Sequence, residues 1–219
     1  MKKTAIILFL LLSFGFFLGA VTASAAFTTI LPGPETPLIG PGGILDQLYG
    51  LGNLQRVDDD FGDGTWFPAN GRTTAQAKFA DFTQEFGYIP DVNKDFIFND
   101  PFVSLFTVAG NGINLGGPTA TLNSGNVGFL WAIDPSGAPL WTSLPSQNSD
   151  GLDHMVTWRI IDRPNTWVIA WEDLPGLGDQ DFNDLVVEVS IAPVPIPSAI
   201  LLLGSGLVAM IGIKRRVKY

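Results

Sequence analysis

Short apolar segments at regular spacing are the feature that most constrains the fold of this chain. From Ala75 onward these segments alternate apolar with polar or small residues, and none has the three-to-four-residue apolar spacing of a helix. Turn-forming residues such as Asn111-Gly112 and Gly116-Gly117-Pro118 separate them. Short strands divided by tight turns are typical of all-β proteins, so the pattern predicts a β-sandwich or a related jelly roll.

The clearest hairpin lies near the end of this series. Residues 154–161 alternate between two faces, Arg163-Pro164-Asn165 supplies a turn, and residues 166–171 return. Residues 185–191 form a further predicted strand. Its apolar side consists of Leu185, Val187, Val189 and Ile191.

The interval between the last two predicted strands, residues 172–184, is strongly acidic, and we call it the acid loop. It holds five carboxylates and the amide of Asn183, with no Lys or Arg. Two carboxylates 4 Å apart near a protein surface repel each other by about 4 kcal/mol, and a divalent cation removes that repulsion. Because the available ligands are hard oxygens, the predicted cofactor is calcium, and a hydrated loop without an ion is the alternative. The predicted ligands are Glu172, Asp173, Asp179, Asp181, Asn183 and Asp184.

The start of this ligand series resembles an EF-hand loop, but the remainder of that motif is absent. Asp184 stands where the motif requires Gly, and Ser190 stands where it requires Glu. The flanking segments are predicted strands rather than helices. The acid loop is therefore predicted to be a strand-to-strand calcium site.

A second acidic cluster precedes the predicted strands. Asp58, Asp60 and Asp63 lie in a Gly-containing turn and are lower-ranked candidate ligands, either for the same ion or for another. A solvated acidic turn is the alternative interpretation.

The charge distribution excludes one class of partner. All 21 acidic residues lie between Glu35 and Glu188, whereas six of the 12 basic residues lie at the two ends of the chain. The acidic central part repels polyanions and concentrates cations, so we expect no nucleic-acid binding.

Residues 1–25 have the pattern of a secretory signal peptide. Lys2 and Lys3 precede an apolar run, and Ala23-Ser24-Ala25 is a small-residue cleavage site. The chain has no cysteine, so disulfides and thiolate metal sites are excluded. An exported domain without disulfides needs another source of stability, and a bound metal is one.

The last 27 residues, 193–219, combine a proline motif, an apolar run and a basic end. The motif is Val194, Pro195, Ile196, Pro197 and Ser198; the run covers 199–213, and four basic residues follow. The run predicts a short transmembrane helix with its basic end in the cytoplasm. Together the three parts resemble the PEP-CTERM sorting signal of exopolysaccharide-producing Gram-negative bacteria, with Ile196 where that motif has Glu.

This resemblance implies an exosortase-type processing protease as a partner. It also implies transient anchoring in the inner membrane, followed by a place at the cell surface or outside the cell. An ordinary C-terminal membrane anchor is the alternative.

The acid loop and an upstream segment resemble a second family. Residues 171–174, 178–187 and 78–88 are similar to domain of unknown function 4114, which occurs in exported bacterial proteins. The resemblance implies a β-sandwich with a calcium site, and it implies no enzymatic activity.

Sequence motifs for catalysis are scarce. His154 is the only histidine, and neither Gly-x-Ser-x-Gly nor His-Glu-x-x-His occurs. A glycoside-cleaving carboxylate pair is the remaining catalytic alternative, and no pair stands out from the others. We therefore expect that this protein is not an enzyme.

A carbohydrate-binding module is the stronger alternative, because tryptophan side chains stack on sugars. In a small sandwich, however, aromatic side chains more often form the core. The tryptophans are Trp66, Trp131, Trp141, Trp158, Trp167 and Trp171.

The sequence thus predicts four regions: a signal peptide (1–25), a Pro/Gly-rich spacer (26–55), a β-sandwich domain (56–192) and a sorting signal (193–219). The predicted function is that of an exported, surface-sorted structural or interaction protein of the cell envelope or exopolysaccharide matrix. Extracellular polysaccharide is a candidate partner.

Overall fold

The computed structural model describes residues 27–59, 63–67 and 69–193. These residues contain one short α-helix, two single-turn 3-10 helices (Pro145–Gln147 and Pro175–Leu177) and eleven strands, which confirms the predicted all-β class. The elements are α1 (Ile44–Tyr49), β1 (Leu54–Arg56), β2 (Ala69–Lys78), β3 (Gln84–Pro90), β4 (Val103–Val108), β5 (Gly112–Ile113), β6 (Thr119–Asn123), β7 (Phe129–Pro135), β8 (Trp141–Thr142), β9 (Met155–Ile160), β10 (Thr166–Trp171) and β11 (Leu185–Pro193). The predicted signal peptide and C-terminal helix lie outside the described residues.

Two antiparallel sheets make up the domain. The large sheet has the order β1-β9-β10-β11-β2-β5, with β6 also paired to β2, and the small sheet has the order β4-β3-β7-β8. The predicted hairpin is β9–β10, and β11 follows as the neighbour of β10. No helix in the described part of the chain is long and apolar enough to cross a membrane.

The main core lies between the two sheets. Most of its aromatic side chains come from the small sheet, and most of its aliphatic ones come from the large sheet. Trp131 stacks on Phe86, with ring centroids 5.2 Å apart, and meets Phe129 edge-on at 4.9 Å. The predicted apolar side of β11 faces this core, and its members are Leu185, Val187, Val189 and Ile191.

A second apolar layer covers the outer face of the large sheet. It is formed by residues 27–53, which we call the strap. The strap is mostly irregular, as its Pro/Gly content predicts, but it packs against the sheet rather than standing free. Leu38, Ile44 and Leu45 are buried against the outward side chains of the sheet, which include Val156 and Val186. Because this sheet is apolar on both faces, it needs a cover on the side away from the small sheet.

Strand β2 begins earlier than the sequence pattern indicated. The apolar alternation starts at Ala75, whereas the strand starts at Ala69 and pairs with β11 and β6 over its first half. Residues 70–74 are Asn, Gly, Arg, Thr and Thr, so they carry no apolar signal. Pairing on both edges, which is a tertiary effect, makes them a strand.

Candidate metal centre

The acid loop connects two paired strands, so its two ends are held together. Trp171 and Leu185 are register partners in β10 and β11, and the Asp184 N–H donates to the Trp171 carbonyl at 3.2 Å. The Asp173 N–H donates to Asp184 Oδ2 at 2.7 Å. Strand register therefore brings residues from the start and the end of the loop to one place.

Three carboxylates meet at this base, and we call them the inner group: Glu172, Asp173 and Asp184. Each offers one oxygen, and the three oxygens lie within 4.8 Å of one another. Opposed calcium ligands lie about 5 Å apart, because calcium–oxygen distances are about 2.3–2.6 Å. Glu172 is fully buried and its Oε2 has no hydrogen-bond partner.

The middle of the loop is held by two buried apolar side chains, Leu177 and Phe182. Both residues, and Gln180 between them, have positive φ angles near 60°. Non-glycine residues rarely adopt this conformation, and they are concentrated at functional sites where the surroundings enforce it. This backbone carries Asp179 and Asp181 toward the strap.

Asp179 and Asp181 meet Glu35 of the strap, and we call these three the outer group. One oxygen from each lies within 4.8 Å of the other two. Glu35 and Asp179 are exposed, whereas Asp181 is buried. Gly33 of the strap packs directly on the Asp181 carboxylate, so no larger side chain fits there. Sequence reasoning missed Glu35, because an isolated acid in a Pro/Gly-rich segment has no local pattern.

Asn183 links the loop to the strap. Its Nδ2 donates to Asp181 Oδ2 at 2.7 Å and to the Thr36 carbonyl at 3.2 Å. Its Oδ1 is fully buried and has no hydrogen-bond partner. A buried oxygen that accepts no hydrogen bond lowers the stability of the folded state. Cation binding would give a partner to Asn183 Oδ1 and to Glu172 Oε2. The residues present therefore fit a hard cation.

The electrostatics of the two carboxylate groups also favour a bound cation. Burial, followed by the nearby carboxylates, raises the pKa of Asp184 and of Glu172 well above the ordinary range. Burial also raises the pKa of Asp173, against a hydrogen bond from Gln84 that lowers it. In the outer group, burial raises the pKa of Asp181 to about 6. Each of these carboxylates is thus poorly solvated in its charged form.

A buried lysine, Lys78, interacts with two carboxylates of the inner group. Lys78 Nζ donates to the Ala80 carbonyl at 2.6 Å and to Asn111 Oδ1 at 2.8 Å. Burial lowers the pKa of this lysine, and the charges of Asp173 and Asp184 oppose that effect. One ammonium does not balance the three carboxylates of the inner group.

The single histidine of the chain contacts the backbone at the start of the acid loop. The His154 ring is fully buried and stacks on Trp141, with ring centroids 3.7 Å apart. Its Nδ1 lies 2.8 Å from the Glu172 carbonyl oxygen, and Trp141 Nε1 donates to the Asp173 carbonyl at 2.7 Å. Both side chains therefore fix the backbone from which two carboxylates project.

A pocket of about 250 Å³ opens beside the two groups. Carboxylates of both groups line one side of it, and Phe79, Phe82 and Asn111 line another. The pocket is therefore polar, acidic and flanked by aromatic rings.

The tryptophans do not form a surface platform among the described residues. Trp131, Trp141 and Trp171 are fully buried, Trp158 is 7% exposed, and the remaining two are partly buried against the core. They are core residues.

The remaining predicted site residues lie elsewhere. Asp63 is buried but belongs to neither carboxylate group, and Asp58 also lies outside both groups. Asp60 and the proline motif, residues 194–198, are outside the described part of the chain.

Comparison with known proteins gives one family match. A family model described as "Domain of unknown function (DUF4114)" matches residues 105–192, a range that begins in β4, contains the whole acid loop and ends in β11. The match confirms the sequence resemblance over this range, and the upstream segment 78–88 lies outside it. A search of the curated proteins gives no match.

Three solved structures show a distant likeness. A Chromobacterium violaceum lectin in complex with alpha-methyl-fucoside is 20% identical with a TM-score of 0.38, and a high-affinity mannose-binding lectin of Ralstonia solanacearum is 19% identical with a TM-score of 0.37. The C-terminal domain of a Burkholderia cenocepacia lectin is 18% identical with a TM-score of 0.36. Each likeness covers 60% of this chain and 96–97% of the lectin chain. TM-scores this low carry no argument about the present chain.

Proposed function

We propose that this protein is an exported calcium-binding β-sandwich that acts as a structural or interaction module outside the cell. The observation that carries the proposal is the convergence of six carboxylates in two groups around buried oxygens that have no hydrogen-bond donor. In this proposal each group holds one ion, and the Asn183 amide oxygen adds to the ligands of the outer group.

Calcium is the ion that this ligand set favours. The ligands are all oxygens, which excludes a preference for softer metals that take thiolate or imidazole. They come from three separate segments with irregular geometry, and calcium tolerates six to eight ligands in flexible arrangements, whereas magnesium demands a near-ideal octahedron.

Bound calcium would link separate segments of the chain, as disulfides do in other exported domains. Glu35 belongs to the strap, Glu172 follows β10, and Asp184 precedes β11. Neutralising these carboxylates would remove their mutual repulsion and tie the strap to the large sheet.

A thermal melt of the full chain with calcium and with chelator tests the proposal. At calcium one hundred times above Kd, binding contributes about 2.7 kcal/mol to the free energy of unfolding. For a chain of this size that corresponds to roughly 5–10 °C in Tm. Identical melts in calcium and chelator would contradict the proposal.

Charge-neutral variants locate the effect. In chelator, Glu172→Gln should melt higher than the parent chain, because one buried repulsive charge is gone, and its calcium response should be smaller than that of the parent chain, because only the outer group keeps its ion. The control is Asp134→Asn, which neutralises an exposed carboxylate on β7 and should keep the full calcium response. Equal responses from the two variants would place calcium outside the inner group.

Carbohydrate binding is the second candidate function, and the pocket beside the two groups favours it. Exposed Glu35 and Asp179 stand at the outer group, and partly buried Phe82 offers a ring for an apolar sugar face. Calcium in the outer group would supply coordination positions to neighbouring sugar hydroxyls.

A glycan array probed in calcium and in chelator tests this candidate. Calcium-dependent glycan binding that falls roughly two- to tenfold in Phe82→Ala is the expected result, since loss of one aromatic contact costs about 0.5–1.5 kcal/mol. Phe96→Ala removes an exposed ring that does not line the pocket and should leave binding unchanged. Calcium-dependent stability without any glycan binding would contradict carbohydrate binding and leave the structural or interaction module as the proposed function.

Sorting to the cell surface is part of the proposal and rests on the two ends of the sequence. The signal-peptide pattern and the motif Val194-Pro195-Ile196-Pro197-Ser198 support export, transient anchoring in the inner membrane and processing by an exosortase-type protease. Fractionation of cells that express the full chain, compared with a chain in which Pro195 and Pro197 are replaced by Ala, tests this part. An unchanged distribution of the variant would contradict it.

A further inference from the structure

Lys78 is a fully buried lysine at the end of β2. Lysine is almost never fully buried unless it is paired with an opposite charge. Among the residues that the structure describes, no carboxylate oxygen lies within the 4.0 Å of an ion pair with Lys78 Nζ. The amino group of this side chain therefore lacks the partner that usually accompanies burial.

The two groups that contact the lysine nitrogen are uncharged. Lys78 Nζ donates to the Ala80 carbonyl at 2.6 Å and to Asn111 Oδ1 at 2.8 Å. A C=O bond is about 1.2 Å long, so Nζ lies no more than about 4 Å from Cγ, the carboxamide carbon of Asn111. Atoms that are ready to react lie about 3–3.5 Å apart, so Nζ and Cγ need to approach each other by at most about 1 Å.

Strand pairing holds the lysine and the asparagine together. Lys78 is the register partner of Gly112 in β5, so Asn111 directly precedes the residue opposite Lys78. Strand β5 contains two residues and stands at the end of the large sheet, where β2 is its neighbour. The contact between the two side chains is therefore set by the backbone of the sheet.

The surroundings of the pair favour attack by the amine on the carboxamide. Burial lowers the pKa of Lys78, although the charges of Asp173 and Asp184 oppose that effect. A desolvated lysine has a larger share of the neutral amine, which is the nucleophilic form. Asn111 is exposed and lines the pocket, so a small leaving group has a route to solvent.

We propose that Lys78 and Asn111 join in an intramolecular isopeptide bond, which links β2 to the residue before β5. In this reaction Nζ attacks Cγ, the Nζ–Cγ bond forms and the Cγ–Nδ2 bond breaks. Two protons pass from the lysine ammonium to the leaving nitrogen, which departs as an ammonium ion. The reaction consumes no oxidant, reductant or nucleotide.

The product suits the buried position better than the separate side chains do. The new amide is uncharged, so the cost of burying an ammonium without an ion pair disappears. Its single N–H needs one acceptor, and the Ala80 carbonyl already lies at hydrogen-bond distance from the same nitrogen. The bond would join residues 33 positions apart and restrict the unfolded chain as a disulfide does, in a chain without cysteine.

Mass spectrometry of the folded full chain tests the proposal. The expected mass is about 17 Da below that of the sequence, because attack by the amine releases one ammonia. A tryptic digest should contain the peptide with Lys78 covalently joined to the peptide with Asn111. Lys78→Met and Asn111→Ala should each have their full sequence mass, and a thermal melt of each checks that it is folded. Lys94→Met, at an exposed lysine, is the control and should keep the loss of ammonia.

Two results would overturn the proposal. The first is a folded parent chain with its full sequence mass and with the two peptides separate. The second is a loss of ammonia that persists in Lys78→Met without joined peptides. In that case the Gly112 backbone nitrogen, rather than the lysine, has attacked Asn111 to form a succinimide. The mass of the chain is the same in calcium and in chelator, so failure of the calcium proposal leaves this one testable.

Discussion

The two apolar layers of this protein differ in how they are built. The layer between the sheets is closed by regular strands on both sides and contains most of the large aromatic side chains. The layer outside the large sheet is closed by the strap, which has one short helix and is otherwise irregular. The first layer needs only strand pairing and packing, whereas the second needs the strap to stay docked.

The outer group belongs to the second layer, whereas the inner group also contacts the small sheet, since Gln84 of β3 and Trp141 of β8 donate to Asp173. Glu35 is a strap residue, and Gly33 and Thr36 contact Asp181 and Asn183. The Leu31 N–H also donates to the Gln180 carbonyl at 2.9 Å. Calcium binding and strap docking should therefore depend on each other, while the layer between the sheets should be independent of calcium.

The largest expected effect comes from the layer between the sheets. Trp131→Ala removes a fully buried ring that contacts Phe86 and Phe129, and should cost about 3–5 kcal/mol of unfolding free energy. The loss should be the same in calcium and in chelator, as measured by denaturant titration. A loss that depends strongly on calcium would contradict the independence of this layer.

An intermediate effect is expected from the strap. Leu38→Ala opens a cavity under the strap and should cost about 3 kcal/mol, and it should also weaken calcium binding because Glu35 lies three residues away. Leu130→Ala, at an equally buried leucine of the small sheet, is the control. Calorimetry should show weaker calcium binding only for Leu38→Ala; the same calcium affinity in both variants would break the coupling.

The smallest effect is expected from the exposed ligand on the strap. Glu35→Gln removes one carboxylate of the outer group without opening a cavity, and should weaken calcium binding by about tenfold, or about 1.4 kcal/mol. The stability measured in chelator should hardly change. Glu85→Gln, the same chemical change on β3, should leave calcium affinity as it is, and a similar loss in both would mean that only the overall charge matters.

The layer between the sheets was largely predictable from the sequence. Alternation in residues 166–171 and 185–191 predicted two strands close to the observed β10 and β11, and it placed Val187 and Val189 on the correct face. This works because a strand that buries one face must show a period of two. The early half of β2 has no such period, because its neighbours rather than its own side chains make it a strand.

The acid loop was predictable as a cluster, but its partners were not. The sequence alone shows five carboxylates in the thirteen residues of the acid loop. The structure places all five in the two carboxylate groups. Glu35, Gln84 and Lys78 reach the same place from distant segments, and nothing in their local sequence indicates it.

The sequence by itself determined the all-β class, the alternating faces of β9 and β11, the acidic loop between β10 and β11, and the pattern of both chain ends. These are properties of neighbouring residues, and the backbone periods of two and 3.6 translate them directly into local structure. The tertiary structure decided that the Pro/Gly-rich segment covers a sheet, and that one of its acids completes a carboxylate group. These outcomes depend on which surfaces lie opposite each other after folding, and contacts between distant residues leave no period in the chain.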